Sequence, residues 1–458
     1  MSRYVIIATA GRPADWNVVK YEIDGHKYTT CASFIALAEH LRCIDHSDVK
    51  VIVVFPDSVD RNDIKCLISE FEKNNLKDYV FIFTEVEGNI GGRKFQGDLY
   101  AIPAVILCLS SIYFLDGFKI VFDLTHGWNI LPSLTMYSIS LIKKLINADI
   151  YIAEPCIART GFKCGDTCDF DKINVILKMH TISMPISARL FIDLCKVNHA
   201  IRCISTICSN FDVDVLNYIV NCVEYFSNGV ITLGWYYMYK IFEKNNFIEN
   251  MLREFLERLL EDELKIPEDV YVAHLTGRRV VKNETVEYRI RCPREALFQL
   301  LYEILRFIVI IRIFRELGYR GSSVPGLSIE FHKLEELLDR LSNVGIIDKA
   351  LYLVTINNLK NFKRECSYAS RYRDFCEYEA SKRGSDKKQV NVIDLWRDYE
   401  KDRNREKMDR ICRNVVAHSG LVCPIVKRCS MASIEINRDL DKDICDFGND
   451  LIRYLLSS

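Results

Sequence analysis

Five short runs constrain the fold of this chain more than any other feature: YVIIAT (4–9), KVIVVF (50–55), YVFIFT (79–84), KIVFDL (119–124) and DIYIAE (149–154). Each is nearly all apolar and lacks the strict alternation of a strand with one wet face, so each reads as a strand covered on both sides. Helical segments stand between them: SFIALAEHLR, DIKCLISEFEKN, AVILCLSSIYFL and SLTMYSISLIKKL. Apolar strands alternating with helices are what a parallel sheet with helices on both faces requires. The expected fold is therefore an α/β Rossmann-like N-terminal domain built on a parallel sheet.

In such sheets ligands sit beyond the carboxyl ends of the strands. Three loops there are rich in glycine or donors: TAGRPADW after the first strand, EGNIGGRKFQGD after the third and THGWN after the fourth. Gly11, Gly91, Gly92 and Gly127 let backbone N–H groups come close to a ligand. Arg12, Thr125, His126 and Asn129 offer side-chain donors, and Trp16 offers a ring on which a base could stack. Any one loop reads as readily as an ordinary turn; the three on one edge favour a binding site. Neither G-x-x-x-x-G-K-[ST] nor G-x-G-x-x-G occurs, so an ATPase or ordinary dehydrogenase would lack its phosphate cradle. A nucleotide with more than one phosphodiester, spread over several loops, suits this edge better.

From about Ile186 the pattern becomes helical, in segments such as VDVLNYIVNCVEYF, REALFQLLYEILRFIVIIRIFREL and LEELLDRLSNV. One interruption, 270–292, alternates as a β-hairpin turning at Lys282 to Glu284. No internal repeat or Pro/Gly/Ser-rich linker is found. At 458 residues, two domains or two with a helical insert are expected. The 61 Lys and Arg against 62 Asp and Glu leave no overall field to attract nucleic acid, so any such site must be local. ASKRGSDKKQVN (380–391) is local in that sense: Lys382, Arg383, Lys387 and Lys388 gather there, with tyrosines at 368, 372, 378 and 399. Basic groups beside rings suit single-stranded nucleic acid, although mixed charge of this kind also describes a solvated surface.

Leu99 to Leu115 is the longest apolar stretch and falls short of the roughly 20 residues of a membrane-spanning helix, so it reads as a buried helix. MSRYVIIATAGRPADW places a strand where a signal peptide needs a longer apolar region, which points to a cytoplasmic protein. The 18 cysteines are accordingly expected as free core thiols. Cys156, Cys164 and Cys168 form one denser group, but C-x7-C-x3-C does not match the usual zinc spacings; a loop disulfide fits it better, and no metal is expected.

Near the end stands RICRNVVAHSGLV. Leu395, Tyr399, Met408, Ile411 and Val415 recur at helical spacing, and Gly420 would end that helix. Arg413 could then be a solvated charge and His418 a cap, or the two could be a catalytic pair with Asn414 beside them.

RNVVAHSG resembles the active-site signature of HEPN ribonucleases. FDLTHGWN at a strand end, preceded by ATAGRPADW, resembles the ligand edge of CARF domains. Their order resembles the CARF-HEPN ancillary ribonucleases of type III CRISPR systems. The resemblance implies a CARF-like cyclic-nucleotide-sensing domain over 1–184, a helical linker over 185–245, and a mainly α-helical HEPN-like ribonuclease domain over 246–458 that carries the β-hairpin insertion. It implies an endoribonuclease of antiviral defence acting on single-stranded RNA without a metal or cofactor, and activated allosterically by a cyclic oligoadenylate, with cyclic tetra-adenylate the first choice. Its site would be composite, in a homodimer or a larger assembly of dimers. Arg413, Asn414 and His418 would be catalytic, and Lys382, Arg383, Lys387 and Lys388 would hold RNA. Gly11, Arg12, Trp16, Gly91, Gly92, Thr125, His126, Gly127 and Asn129 would line the activator site. Two alternatives stay open: a nucleotide-sensing regulator without nuclease activity, and a CARF-type ring nuclease that degrades the cyclic ligand.

Overall fold

The computed structural model describes residues 3–13, 16–90, 92–98, 100–125, 130–155, 174–179, 193–207, 212–244, 247–260, 277–282, 285–290, 292–319, 327–369, 415, 421 and 425–436. The chain divides into two compact units, Met1–Leu190 with Leu252–Leu301 and Phe191–Met251 with Tyr302–Ser458.

In chain order the first unit begins with β1 (Arg3–Thr9), β2 (Val19–Ile23), β3 (His26–Thr30), α1 (Ser33–Asp45), β4 (Asp48–Pro56), α2 (Ile64–Lys73) and β5 (Tyr79–Thr84). A short hairpin follows, β6 (Glu87–Ile90) and β7 (Arg93–Gln96), and then α3 (Ala101–Leu115), β8 (Lys119–Asp123), α4 (Ile130–Ile146), β9 (Asp149–Pro155) and β10 (Asn174–Met179). The five runs singled out in the sequence are β1, β4, β5, β8 and β9, parallel neighbours in the order β9-β8-β1-β4-β5. The sheet does not stop there. β10 adds antiparallel to β9, β2 pairs parallel with β10, and β3 closes the order as an edge strand.

The inner strands are apolar because both faces are covered: Val5, Ile6, Ile7, Val51, Ile52, Val53 and Val54 have no exposed area. Burying side chains of this size stabilises by about 1.5–3 kcal/mol each. Within the Leu99–Leu115 stretch, Ala101–Leu115 forms α3, buried from Ala101 through Ile112 as expected. No helix among the described residues is long and apolar enough to cross a membrane.

Farther along are α5 (Leu194–Ile207), α6 (Val213–Ser227), α7 (Ile231–Lys244), α8 (Ile248–Leu260), β11 (Gly277–Lys282), β12 (Thr285–Ile290) and α9 (Arg294–Glu316). The β11–β12 hairpin turns between Lys282 and Thr285, where the sequence placed it. Its partner is in the first unit: β12 pairs parallel with β7, giving a four-stranded sheet β11-β12-β7-β6. At the roots of these two hairpins Arg294 Nε donates to Glu85 Oε1 at 3.0 Å, with both side chains buried. Burial raises the Glu85 pKa, and Arg294 opposes that shift.

The second unit packs α6 against α7 through a close approach at Gly234, where a Cβ would lie 2.8 Å from the Phe226 ring. Trp235 lies against Phe314 and Tyr319, and Tyr225 stacks on Tyr237 at 5.5 Å. Gly229, at φ +72°, makes the turn out of α6. Arg306 of α9 is buried between Glu303 Oε1 at 2.6 Å and Glu224 Oε1 at 3.2 Å, and it also donates to Ser227 Oγ. The remaining elements are β13 (Ser328–Glu330), α10 (Phe331–Asn343), α11 (Lys349–Ala369), β14 (Val426–Cys429) and β15 (Ser433–Ile436), the three strands forming a small sheet in the order β13-β15-β14.

One expectation is corrected here. The cysteines are not all free thiols, because Cys366 of α11 and Cys429 of β14 form a disulfide with their Cα atoms 5.3 Å apart. That separation fits a disulfide, and the partners are 63 residues apart, so spacing alone could not pair them. Cys108, Cys222 and Cys292 are buried thiols as expected. Cys156, Cys164 and Cys168 lie outside the described residues.

Candidate ligand-binding edge

The carboxyl end of the parallel sheet is assembled by register. Ala8 of β1 faces Asp123 of β8 on one side and Val53 of β4 on the other, so the loops leaving β1, β4 and β8 open side by side. The strands are apolar up to this edge and turn polar at it. Thr9, Ser33, Asp57, Thr84 and Asp123 are all buried. Two of them tie adjacent strand ends together: the Asp57 N–H donates to the Thr84 carbonyl at 2.9 Å, and Thr84 Oγ1 donates to the Phe55 carbonyl at 3.3 Å.

In the loop after β1, Gly11 is buried and Arg12 is exposed, with its Nε donating to Asp63 Oδ2 at 2.8 Å. Arg12 is thus oriented from the start of α2 while much of its guanidinium stays open to solvent. Trp16 is half-buried, its ring edge-on to Phe34 with centroids 6.0 Å apart. One side of the indole is therefore held by the core cluster under α1.

In the loop after β8, Thr125 is half-buried and its N–H donates to Asp123 Oδ1 at 2.9 Å. The other carboxylate oxygen of Asp123 accepts from Ser33 Oγ at 2.6 Å. Ser33 opens α1, whose cap position is Ala32 without a side-chain cap and whose first turn holds no acid. The Asp123 carboxylate thus supplies negative charge to a helix start that lacks its own. Tyr21 of β2 registers that charge: its pKa is pushed far up, by burial first, then by Asp123 and Cys31. Burial, then Glu70, pushes the Cys31 thiol up to about 11, which makes it a poor nucleophile at neutral pH.

The glycine loop after β5 is a hairpin. Ile90 pairs with Arg93 across the turn, and Gly92 sits at φ +78°, where a side chain would be strained. Gly92 thus has a backbone reason to be glycine. Gly97 has a steric one, because a Cβ there would meet the Val86 carbonyl oxygen at 2.6 Å.

The structure brings Gly11, Arg12, Trp16 and Thr125 to neighbouring loops and leaves Gly92 in the separate hairpin. Gly91, His126, Gly127 and Asn129 lie outside the described residues, as do Arg413, Asn414 and His418 and the basic group Lys382, Arg383, Lys387 and Lys388. Sequence reasoning passed over Asp123 and Ser33. An ionisable residue closing the apolar run KIVFD was the available signal for the first, since aspartate is seldom fully buried without partners. Nothing local marked Ser33.

Residues 5–159 match the family model described as the CARF domain of the CRISPR system endoribonuclease Csx1. The match supports a CARF domain of the kind found in CRISPR systems, and it covers the five parallel strands from Val5 of β1 to the end of β9, with their carboxyl edge. No curated protein matches the chain.

Proposed function

We propose that this chain is a cyclic-oligoadenylate-activated, metal-independent endoribonuclease that cuts single-stranded RNA in type III CRISPR defence, in the cytoplasm. The observation that carries the reading is the Csx1 CARF match over residues 5–159, laid on a sheet edge whose loops present Gly11, Arg12, Trp16 and Thr125 together. A CARF domain of that family binds cyclic oligoadenylate, and backbone donors with one exposed arginine suit a ligand that carries several phosphodiesters.

The cutting site belongs to RNVVAHSG. RNA carries its own nucleophile in the 2′-hydroxyl, so cleavage needs proton transfer and charge stabilisation at phosphorus, with no obligatory metal. His418 moves the proton, Arg413 holds the phosphate oxygens with its planar donor fork, and Asn414 orients one or the other. Residues five apart on a helix point about 140° away from each other. Two copies of the motif meeting across the two-fold axis of a homodimer relieve that mismatch. Lys382, Arg383, Lys387 and Lys388 add substrate affinity.

The test is incubation of the full chain with labelled single-stranded RNA, with and without cyclic tetra-adenylate or cyclic hexa-adenylate, and with and without EDTA. Cleavage accelerated by one ring and unaffected by EDTA is expected. Equal cleavage with and without every ring would remove the sensor, and loss in EDTA would remove the metal-free mechanism. His418→Ala should abolish cutting while leaving ring affinity within about threefold, a ratio worth under about 1 kcal/mol.

A further inference from the structure

At the edge where the activator is proposed to bind, Asp123 has chemistry that a contact residue for an anionic ligand should not have. A carboxylate facing phosphodiesters repels them. The Asp123 carboxylate is 1 % exposed, and both of its oxygens are engaged, Oδ1 by the Thr125 N–H and Oδ2 by the Ser33 hydroxyl, which is itself fully buried. The two donors come from different places: Thr125 just past the end of β8, and Ser33, the first residue of α1, which stands 90 residues from Asp123 in sequence. The charge is also taken up by the positive end of α1. Asp123 is therefore withdrawn from the ligand and bonded to the loop that is offered to it.

We propose that Asp123 is a positioning residue for activator binding: with Ser33 as its anchor, it fixes Thr125, just past the end of β8, on the start of α1, so that this residue meets the cyclic ligand already in place. This rests on the reading of that edge as the activator site. Such placement matters because a group that must be immobilised on binding costs affinity, and one held beforehand is spared most of that cost.

Substitutions separate positioning from contact. Asp123→Asn keeps both bonds without the charge: its carbonyl accepts from Thr125 N–H and its amide donates to Ser33 Oγ, a hydroxyl oxygen that is also an acceptor. Asp123→Ala removes both bonds. Isothermal titration with cyclic tetra-adenylate and cyclic hexa-adenylate, together with hydrogen exchange of the Thr125 amide in the absence of ligand, tests the proposal on the full chain. The expected result is affinity at least tenfold weaker in Asp123→Ala, within threefold of wild type in Asp123→Asn and intermediate in Ser33→Ala, with exchange accelerated in the same order. Asparagine as weak as alanine would overturn the proposal, because the carboxylate would then be acting on the ligand itself; alanine binding like wild type would overturn it too. If wild type binds neither ring, the activator reading fails and the exchange measurement alone decides the tether: exchange in Asp123→Ala no faster than in wild type sinks it. Should Asp123→Ala fail to fold, as judged by circular dichroism, Ser33→Ala against Asp123→Asn carries the same comparison.

Discussion

Two arginines on α9, Arg294 and Arg306, are both buried, and their surroundings differ in charge. Arg294 meets the Glu85 carboxylate in the first unit. Arg306, in the second unit, lies between two, Glu303 and Glu224, with the Ser227 hydroxyl and the Tyr302 ring beside it. At Glu85 burial raises the pKa, Asp98 adds to that rise, and Arg294 does not overcome it. Around Arg306 burial works against the cation, yet Glu303 and then Glu224 more than offset it and its pKa rises. A balanced pair sits close to the break-even point between desolvation and attraction, whereas a cation shared by two buried acids cannot be removed without stranding both.

The largest effect is therefore expected at Arg306. Arg306→Met should destabilise by about 4–5 kcal/mol, at the upper end for breaking a buried pair, while Arg294→Met costs about 3 kcal/mol. Chemical denaturation of both variants checks the ranking, and equal losses would break the comparison. Next comes the cycle around the balanced pair. Glu85→Leu with Arg294→Met should recover to within about 1 kcal/mol of wild type, because an apolar pair of similar volume replaces two desolvated charges. No such recovery is expected from Glu303→Leu with Arg306→Met, since Glu224 would remain buried without its arginine. The smallest effect is in pH. Because the folded pKa of Glu85 is raised, the folded state holds that proton more tightly; this contribution is complete below the unfolded pKa and is lost as pH rises through the folded one. The stability of wild type relative to Glu85→Gln should therefore be greater near pH 4 than at pH 7, and a flat difference between thermal melts at the two pH values would deny that burial dominates there.

Neither arginine was legible beforehand, and the reason is general to this fold. The five parallel strands and the helices between them could be read because double-sided burial writes itself into consecutive residues. The β2–β3 hairpin could have been read and was not: Asp24 and Gly25 form its turn at φ 47° and 80°, the Asp-Gly signature of a two-residue hairpin, but VKYEI and HKYTT are too polar to stand out. Pairings across the chain left no local trace at all. These include β12 on β7, Glu85 with Arg294, and Ser33 with Asp123, each joining residues that ordinary spacing rules never compare. At the candidate site, the donors on loops were legible by type, whereas the buried acid that organises one of those loops was hidden in a strand run counted as apolar.

The Cys366–Cys429 bond has a consequence of topology. It closes a ring in the chain, and within that ring, by sequence, lie Lys382, Arg383, Lys387, Lys388, Arg413, Asn414 and His418. A protease that cuts once anywhere inside the ring produces two polypeptides that remain one covalent molecule. Such a nick is invisible on a non-reducing gel and shows as two bands only after the bond is reduced. The proposed RNA-binding and cutting residues thus occupy a stretch of chain in which a broken peptide bond does not by itself part the molecule.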